Sequence, residues 1–364
     1  MCYTYVRLML KEQELAIVVG IDIPGTHAFS IAESLEELKR LADTAGAVVV
    51  GQITQKRERP NQRYYIGSGK LEELKQLIAE LKANLIIFDV EIFASQQRNL
   101  ELELGIKVID RTELILDIFA QHANTREGTL QVELAQANFL MTRLVGQGDS
   151  LSRLGGGIGT RGPGETKLEY DRRKTRKKIS DLKKEIEKLS QERAIRREKR
   201  KKSHLPLVSL VGYTNAGKST LLNALTKADV FTQDKLFATL DPTVRRFYLP
   251  SNKTILISDT VGFIQKLPHQ LVAAFHATLE EVSFADLLIH VVDCSHQYFN
   301  DQIKAVEEVL DELKAADKPI ITVYNKIDKA TVKLARHSLA ISATKKEGLD
   351  ELVKLLDQQL GQQL

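Results

Sequence analysis

Gly212-Tyr213-Thr214-Asn215-Ala216-Gly217-Lys218-Ser219 fits the phosphate-loop pattern G-x-x-x-x-G-K-[ST] at every fixed position. Before it, Leu207-Val208-Ser209-Leu210-Val211 is a short apolar run suited to a buried strand. After it, Thr220-Leu221-Leu222-Asn223-Ala224-Leu225 continues as a helix. A strand, a glycine loop and a helix start together make an anion site. Successive backbone N–H groups point inward, and the helix N-terminus adds partial positive charge. In such a loop Lys218 reaches the β- and γ-phosphates of a nucleotide and the Ser219 hydroxyl holds Mg2+.

Three more motifs lie downstream. Phe237-Ala238-Thr239-Leu240-Asp241-Pro242-Thr243 offers a threonine to close over Mg2+ and the γ-phosphate, and spacing alone permits Thr239 or Thr243. A strand at 254–258 runs into Asp259-Thr260-Val261-Gly262, where Asp259 would hold the metal's water shell and the Gly262 N–H would meet the γ-phosphate. Buried strands follow at 287–293 (LLIHVVD) and 320–324 (IITVY), the second leading into Asn325-Lys326-Ile327-Asp328. The Asp328 carboxylate can accept both N1–H and the exocyclic amine of guanine. Adenine presents no such pair, so the site selects GTP over ATP. Ser342-Ala343-Thr344 fits a backbone loop against the guanine oxygen. Four motifs in this order predict a Ras-like doubly wound α/β domain with its ligand at the carboxyl ends of the strands. Phe263 stands where a glutamine often orients the attacking water, and phenylalanine cannot do that. Slow intrinsic hydrolysis follows, with the water placed by a partner or another group. Asn215 suggests one such helper, a K+ ion bound by its side chain.

Working toward the N-terminus, residues 1–13 read as a poorly determined lead-in. Apolar strands at 15–21, 47–53, 84–89 and 106–110 alternate with helical patterns near 34–41, 71–81, 95–103 and 112–122, and the polar stretch 55–63 reads as a loop. Ser34 is the expected N-cap of the first helix. The alternation predicts a parallel sheet covered by helices. Gly67-Ser68-Gly69-Lys70 resembles a phosphate loop but has Tyr64 where the first glycine should be, so it reads as a turn into the helix at Leu71.

Between the two α/β regions the composition changes. Residues 127–145 form a helical pattern with Leu130, Leu134, Ala137, Met141 and Leu144 on one stripe. Eight of the nineteen residues 146–164 are glycine, too many for a helix or strand of their own, and Arg153, Arg161 and Lys167 give this loop the charge of a phosphate seeker. From Glu165 to about Lys202 a second long helix carries Ile179, Leu182, Ile186 and Leu189 as a short heptad seam. The two helices are expected to pack as an antiparallel hairpin with the glycine loop at its tip. Residues 161–202 hold 18 Lys or Arg against 8 Asp or Glu, a local balance of +10 in a chain of net charge +4. A basic segment beside a glycine-rich tip favours RNA over a membrane surface, since the helix lacks a broad apolar face with aromatics.

The bulk numbers agree. At 364 residues two or three domains are expected, here 1–124, 125–203 with the loop 146–164, and 204–364. Two cysteines, Cys2 and Cys294, are too few for a disulfide framework and point to a reducing cytosol. No signal peptide is evident and no stretch approaches the ~20 apolar residues of a membrane span.

Taken together the residues resemble the HflX family of translational GTPases. The likeness rests on 212–219 (GYTNAGKS), 237–243 (FATLDPT), 259–263 (DTVGF) and 325–328 (NKID) and, outside the GTPase half, on 110–114 (DRTEL) and 153–167 (RLGGGIGTRGPGETK) with the charged helix after it. The resemblance implies an N-terminal α/β domain, a helical hairpin and a GTPase domain. It also implies GTP-dependent binding to the large ribosomal subunit and its ribosomal RNA. The protein is expected to be a cytoplasmic monomer, in part peripheral at the membrane. The hairpin loop would lie near the peptidyl transferase centre, and stalled or idle ribosomes would be split. A ribosome-assembly GTPase, or a switch for a protein partner without RNA, are the alternatives. The family places the metal ligand in FATLD, hence Thr239 beside Ser219 and Asp259. The sequence ends at Leu364, soon after its last helix, so any function of a longer C-terminal tail is expected to be missing.

Overall fold

The computed structural model describes residues 13–24, 30–152, 163–202, 205–226, 236–237, 243–266, 281–330, 334–335 and 338–361. Almost all of the lead-in, and residues 153–162 of the glycine-rich segment with Arg153 and Arg161, lie outside them. The chain groups into two compact units, residues 1–121 with 139–177 and residues 122–138 with 178–364.

The first unit holds β1 (Leu15–Asp22), α1 (Ile31–Ala45), β2 (Val48–Lys56), α2 (Ser68–Leu81), β3 (Leu85–Phe88), α3 (Ala94–Leu104), β4 (Lys107–Asp110) and α4 (Arg111–His122). The strands form one sheet in the order β2-β1-β3-β4, every neighbouring pair parallel. Central β1 is covered on both faces, which is why its sequence is a continuous apolar run rather than an alternation. Ile17, Val19, Ile53, Ile66, Leu74, Ile86, Phe88, Leu100 and Val108 make one core.

Two details depart from the sequence reading. The N-cap of α1 is Ser30, whose side chain accepts from the Glu33 N–H at 3.3 Å. Ser34 lies one turn inside the helix and its hydroxyl donates to Asp89 Oδ2 at 2.6 Å. Apolar periodicity marks the first buried turn of a helix, which starts one turn after the first helical residue. Likewise β2 runs on through Gln55 and Lys56, which pair with Ile21 and Asp22. An edge strand tolerates polar residues that a central strand would exclude.

Polar groups close the carboxyl end of this sheet. Arg111, 2% exposed, pairs with Asp89 at 2.8 Å and with Glu37. Arg143 reaches Asp110 at 2.7 Å.

The helices α5 (Arg126–Ser152) and α6 (Pro163–Lys202) run antiparallel, as the pairs Glu127–Arg193, Glu133–Lys178 and Leu144 O with Arg172 Nη2 show. On α6 Leu182 is buried and Ile179, Ile186 and Leu189 are half-buried, while most of the helix is exposed. That is the expected seam. The glycine-rich segment is shorter than expected. Helix α5 continues through Gly146 and Gly148 to Ser152, and α6 starts two residues early with a proline at its first position. Two isolated glycines cost about 1 kcal/mol each in a helix, and an established helix propagates through them.

The second unit contains β5 (Leu207–Val211), α7 (Lys218–Thr226), β6 (Thr243–Tyr248), β7 (Thr254–Asp259), β8 (Leu287–Asp293), α8 (Phe299–Glu312), β9 (Ile320–Asn325), β10 (Leu339–Ala340) and α9 (Leu349–Gly361). The sheet order is β10-β9-β8-β5-β7-β6, with only β6 antiparallel to its neighbour. Every residue of β5 is buried, as its central place requires. Val208, Leu210, Leu221, Ile257, Ile289, Val291, Val323 and Leu352 fill the core. The carboxyl ends of β5, β7, β8 and β9 deliver Gly212, Asp259, Asp293 and Asn325 to one edge of the sheet. Among the described residues no helix is long and apolar enough to cross a membrane.

Candidate nucleotide site

The loop from Gly212 to Ser219 leaves β5 and enters α7 as the pattern requires. Gly212, Asn215 and Gly217 have φ of 149°, 60° and 94°, so the loop passes through positive-φ backbone three times. A Cβ on Gly217 would collide with the Asn325 amide, so glycine is required there on space as well as on conformation.

Lys218 is 6% exposed, and its ammonium donates to the carbonyls of Gly212 at 3.0 Å and Tyr213 at 2.8 Å. Burial pulls its pKa down to about 8. Asp259 opposes that shift, and the charge of Lys326 adds to it. His290 on β8 is also buried and lies close enough to feel that lysine. Its pKa falls to about 4, first through burial and then through Lys218. The imidazole is therefore neutral at physiological pH, and Lys218 is the charged member of the two.

Ser219 Oγ donates to Asp259 Oδ2 at 2.6 Å, and Asp259 is fully buried. A hydroxyl and a carboxylate oxygen brought to one point are the hard donors that Mg2+ takes, so these residues fit the ion. No cluster of three or more His, Cys, Asp or Glu is present among the described residues. Thr239, with Ala238, Leu240 and Asp241, lies outside the described residues. The other candidate threonine, Thr243, begins β6 directly across from Asp259, and Phe237 is buried with φ 57°.

The Asp259–Gly262 segment is laced to the phosphate loop. Thr260 Oγ1 donates to Leu210 O at 2.6 Å, the Phe263 N–H to Gly212 O at 3.1 Å, and the Thr214 N–H to Phe263 O at 2.7 Å. Val261 and Phe263 are buried. A Cβ on Gly262 would fall 2.7 Å from Thr214 Cα and 2.9 Å from Lys218 Nζ, so only glycine lets this backbone come so close.

At the other end, Asn325 clamps two loops. Its Nδ2 donates to Ala216 O at 2.9 Å and its Oδ1 accepts from the Ala343 N–H at 3.0 Å. Lys326 sits at φ 64° and reaches Asp293 at 2.7 Å. Asp328 follows in a 3-10 turn over Ile327–Lys329 with its carboxylate exposed, and a hydrogen bond from Ser342 holds its pKa below the ordinary value. Ser342 and Ala343 are buried, Thr344 is exposed, and paired backbone bonds between Ser342 and Glu347 close their loop. An exposed, ionised carboxylate beside a buried backbone loop can receive a guanine edge.

The structure thus brings 212–219, 259–262, 325–328 and 342–344 to one sheet edge. The double clamp by Asn325 and the buried His290 were not evident from sequence. A lone histidine inside the apolar run of β8 was the one available signal.

Three families match the chain: "GTP-binding GTPase N-terminal" over residues 32–120, "GTP-binding GTPase Middle Region" over 122–200 and "50S ribosome-binding GTPase" over 207–326. GTPase HflX of Caldanaerobacter subterraneus is 52% identical over 354 residues, covering 97% of this chain and 82% of that protein. GTPase HflX of Escherichia coli is 48% identical over 296 residues, covering 81% and 70%. Among solved structures, the complex of SsGBP with GDP is 27% identical with a TM-score of 0.51, covering 96% of this chain and 99% of that one.

Proposed function

The chain belongs to the HflX family of GTPases and hydrolyses GTP, and from that premise we propose that GTP gates its docking on the large ribosomal subunit and the splitting of stalled or idle ribosomes. The observation that carries this reading is the basic 40-residue helix α6, paired with α5 and joined directly to a GTPase unit. The family that matches residues 207–326 of that unit is described as a 50S ribosome-binding GTPase. In this reading residues 1–124 are an α/β domain, 125–203 an arm and 204–364 the GTPase.

Within this reading the residues of the site take the following roles. Lys218 and the loop N–H groups hold the β- and γ-phosphates. Asp328 with the Ser342–Thr344 loop reads guanine. Ser219 and Asp259, together with Thr239, would hold Mg2+, which when bound neutralises charge developing on the phosphates. The Gly262 N–H meets the γ-phosphate and so couples the Asp259–Gly262 segment to nucleotide state. Loss of that phosphate releases the segment and ribosome affinity falls. Phe263 supplies no group to orient water, so turnover is slow until a second component helps. A K+ ion at Asn215 is our candidate. Turnover several-fold faster in KCl than in NaCl is expected, and equal rates would sink it.

The test of the main reading is sedimentation of the full-length protein with purified large subunits. Co-sedimentation is expected with a non-hydrolysable GTP analogue and not with GDP or without nucleotide. Equal binding in all three states would remove the gating. Loss of 70S particles from a purified mixture separates splitting from an assembly role.

A further inference from the structure

Thr214 carries an observation that the roles above leave unused. It occupies the third position of the phosphate loop, is 6% exposed, and its Oγ1 is buried without a hydrogen-bond partner among the described residues. A buried hydroxyl left unpaired is costly, and valine would fill the same space without that cost. The backbone here is fixed, because the Thr214 N–H donates to Phe263 O at 2.7 Å. Its position in the site is equally defined. A Cβ on Gly262 would lie 2.9 Å from Thr214 Cγ2 and 2.9 Å from Lys218 Nζ, so the methyl of Thr214 and the lysine ammonium flank Gly262, and the hydroxyl is borne on the same Cβ as that methyl. Gly262 and Lys218 are the two groups assigned to the γ-phosphate.

We propose that the Thr214 hydroxyl contacts the terminal phosphoryl group of GTP, donating a hydrogen bond that GDP cannot accept. The proposal rests on the reading of 212–219 as the nucleotide cradle. It makes Thr214 a specificity residue for the triphosphate state, placed beside a DxxG segment whose next residue, Phe263, has no polar side chain to offer. Unlike Lys218, whose ammonium serves both phosphates, this hydroxyl would report on the γ-phosphate alone.

Full-length parent, Thr214→Val and Thr214→Ser proteins should be compared, with Mg2+, for affinity toward GDP and toward guanylyl imidodiphosphate. Valine keeps the branched shape and the Cγ2 contact; serine keeps the hydroxyl. The expected result is about a tenfold fall in the analogue-to-GDP affinity ratio for Thr214→Val, from loss of one hydrogen bond to a charged group. GDP affinity should not change, and Thr214→Ser should restore the ratio. An unchanged ratio in Thr214→Val overturns the proposal, as does equal weakening of both nucleotides. A parent protein that binds neither nucleotide would overturn the cradle reading itself, and this proposal with it.

Discussion

At the scale of single residues, the candidate site holds a buried cation, Lys218, and an exposed anion, Asp328. Lys218 is buried, so its charge is expressed in a place with little water and its pKa falls to about 8. Asp328 is exposed and its pKa is held down by Ser342, so it stays ionised and open to a base. The Asp328→Asn variant follows directly. Asparagine cannot accept both guanine N–H groups, so competition between GTP and ATP should shift toward ATP by roughly a hundredfold. An unchanged preference would place the base pocket elsewhere. The NKxD spacing marked Asp328 in the sequence, and the structure leaves its carboxylate exposed beside Ser342. The Asn325 clamp was not, since Ala216 and Ala343 are far apart along the chain and only the fold brings their backbones to one side chain.

At the scale of elements, the junction of β4 with α4 concentrates acid groups around one cation. Arg143 from α5 lies 2.7 Å from Asp110 and 3.9 Å from Glu113, so its charge serves mainly Asp110. Burial is the larger effect at Glu113 and lifts its pKa from 4.5 to about 7. The sign follows from that rise. The folded state prefers the neutral acid, so its contribution is complete below pH 4.5 and is lost as pH rises through 7. A shift of this size corresponds to roughly 3 kcal/mol. Glu113→Gln should therefore leave α4 as protected as the parent at pH 4.5. At pH 8 it should raise protection by up to that amount, read by amide hydrogen exchange along α4 in the intact protein. Equal protection in both proteins at pH 8 would show that the carboxylate finds solvent. Helix α6 was legible as an element from its heptad seam. The run of α5 through Gly146 and Gly148 was not, because composition over nineteen residues hides two glycines that a continuing helix can carry.

At the scale of the whole molecule, the chain carries its excess positive charge along residues 161–202 and its GTPase motifs on the second sheet. Docking on RNA through the arm releases counterions, so the proposed large-subunit binding should weaken steeply as salt is raised. A protein-partner switch would show a shallow dependence, which makes the salt slope a second arm of the sedimentation test. What sequence alone determined was the identity and order of the GTPase motifs, the parallel α/β character of the N-terminal sheet and the basic seam helix. Each depends on local spacing or periodicity, which a chain carries whatever its distant parts do. Tertiary structure decided how those motifs share one edge. It set the closeness of Gly262 to Lys218 and Thr214, the clamp at Asn325, the neutral His290 and the raised Glu113. These depend on which distant backbones exclude water from one another, and no local pattern encodes that.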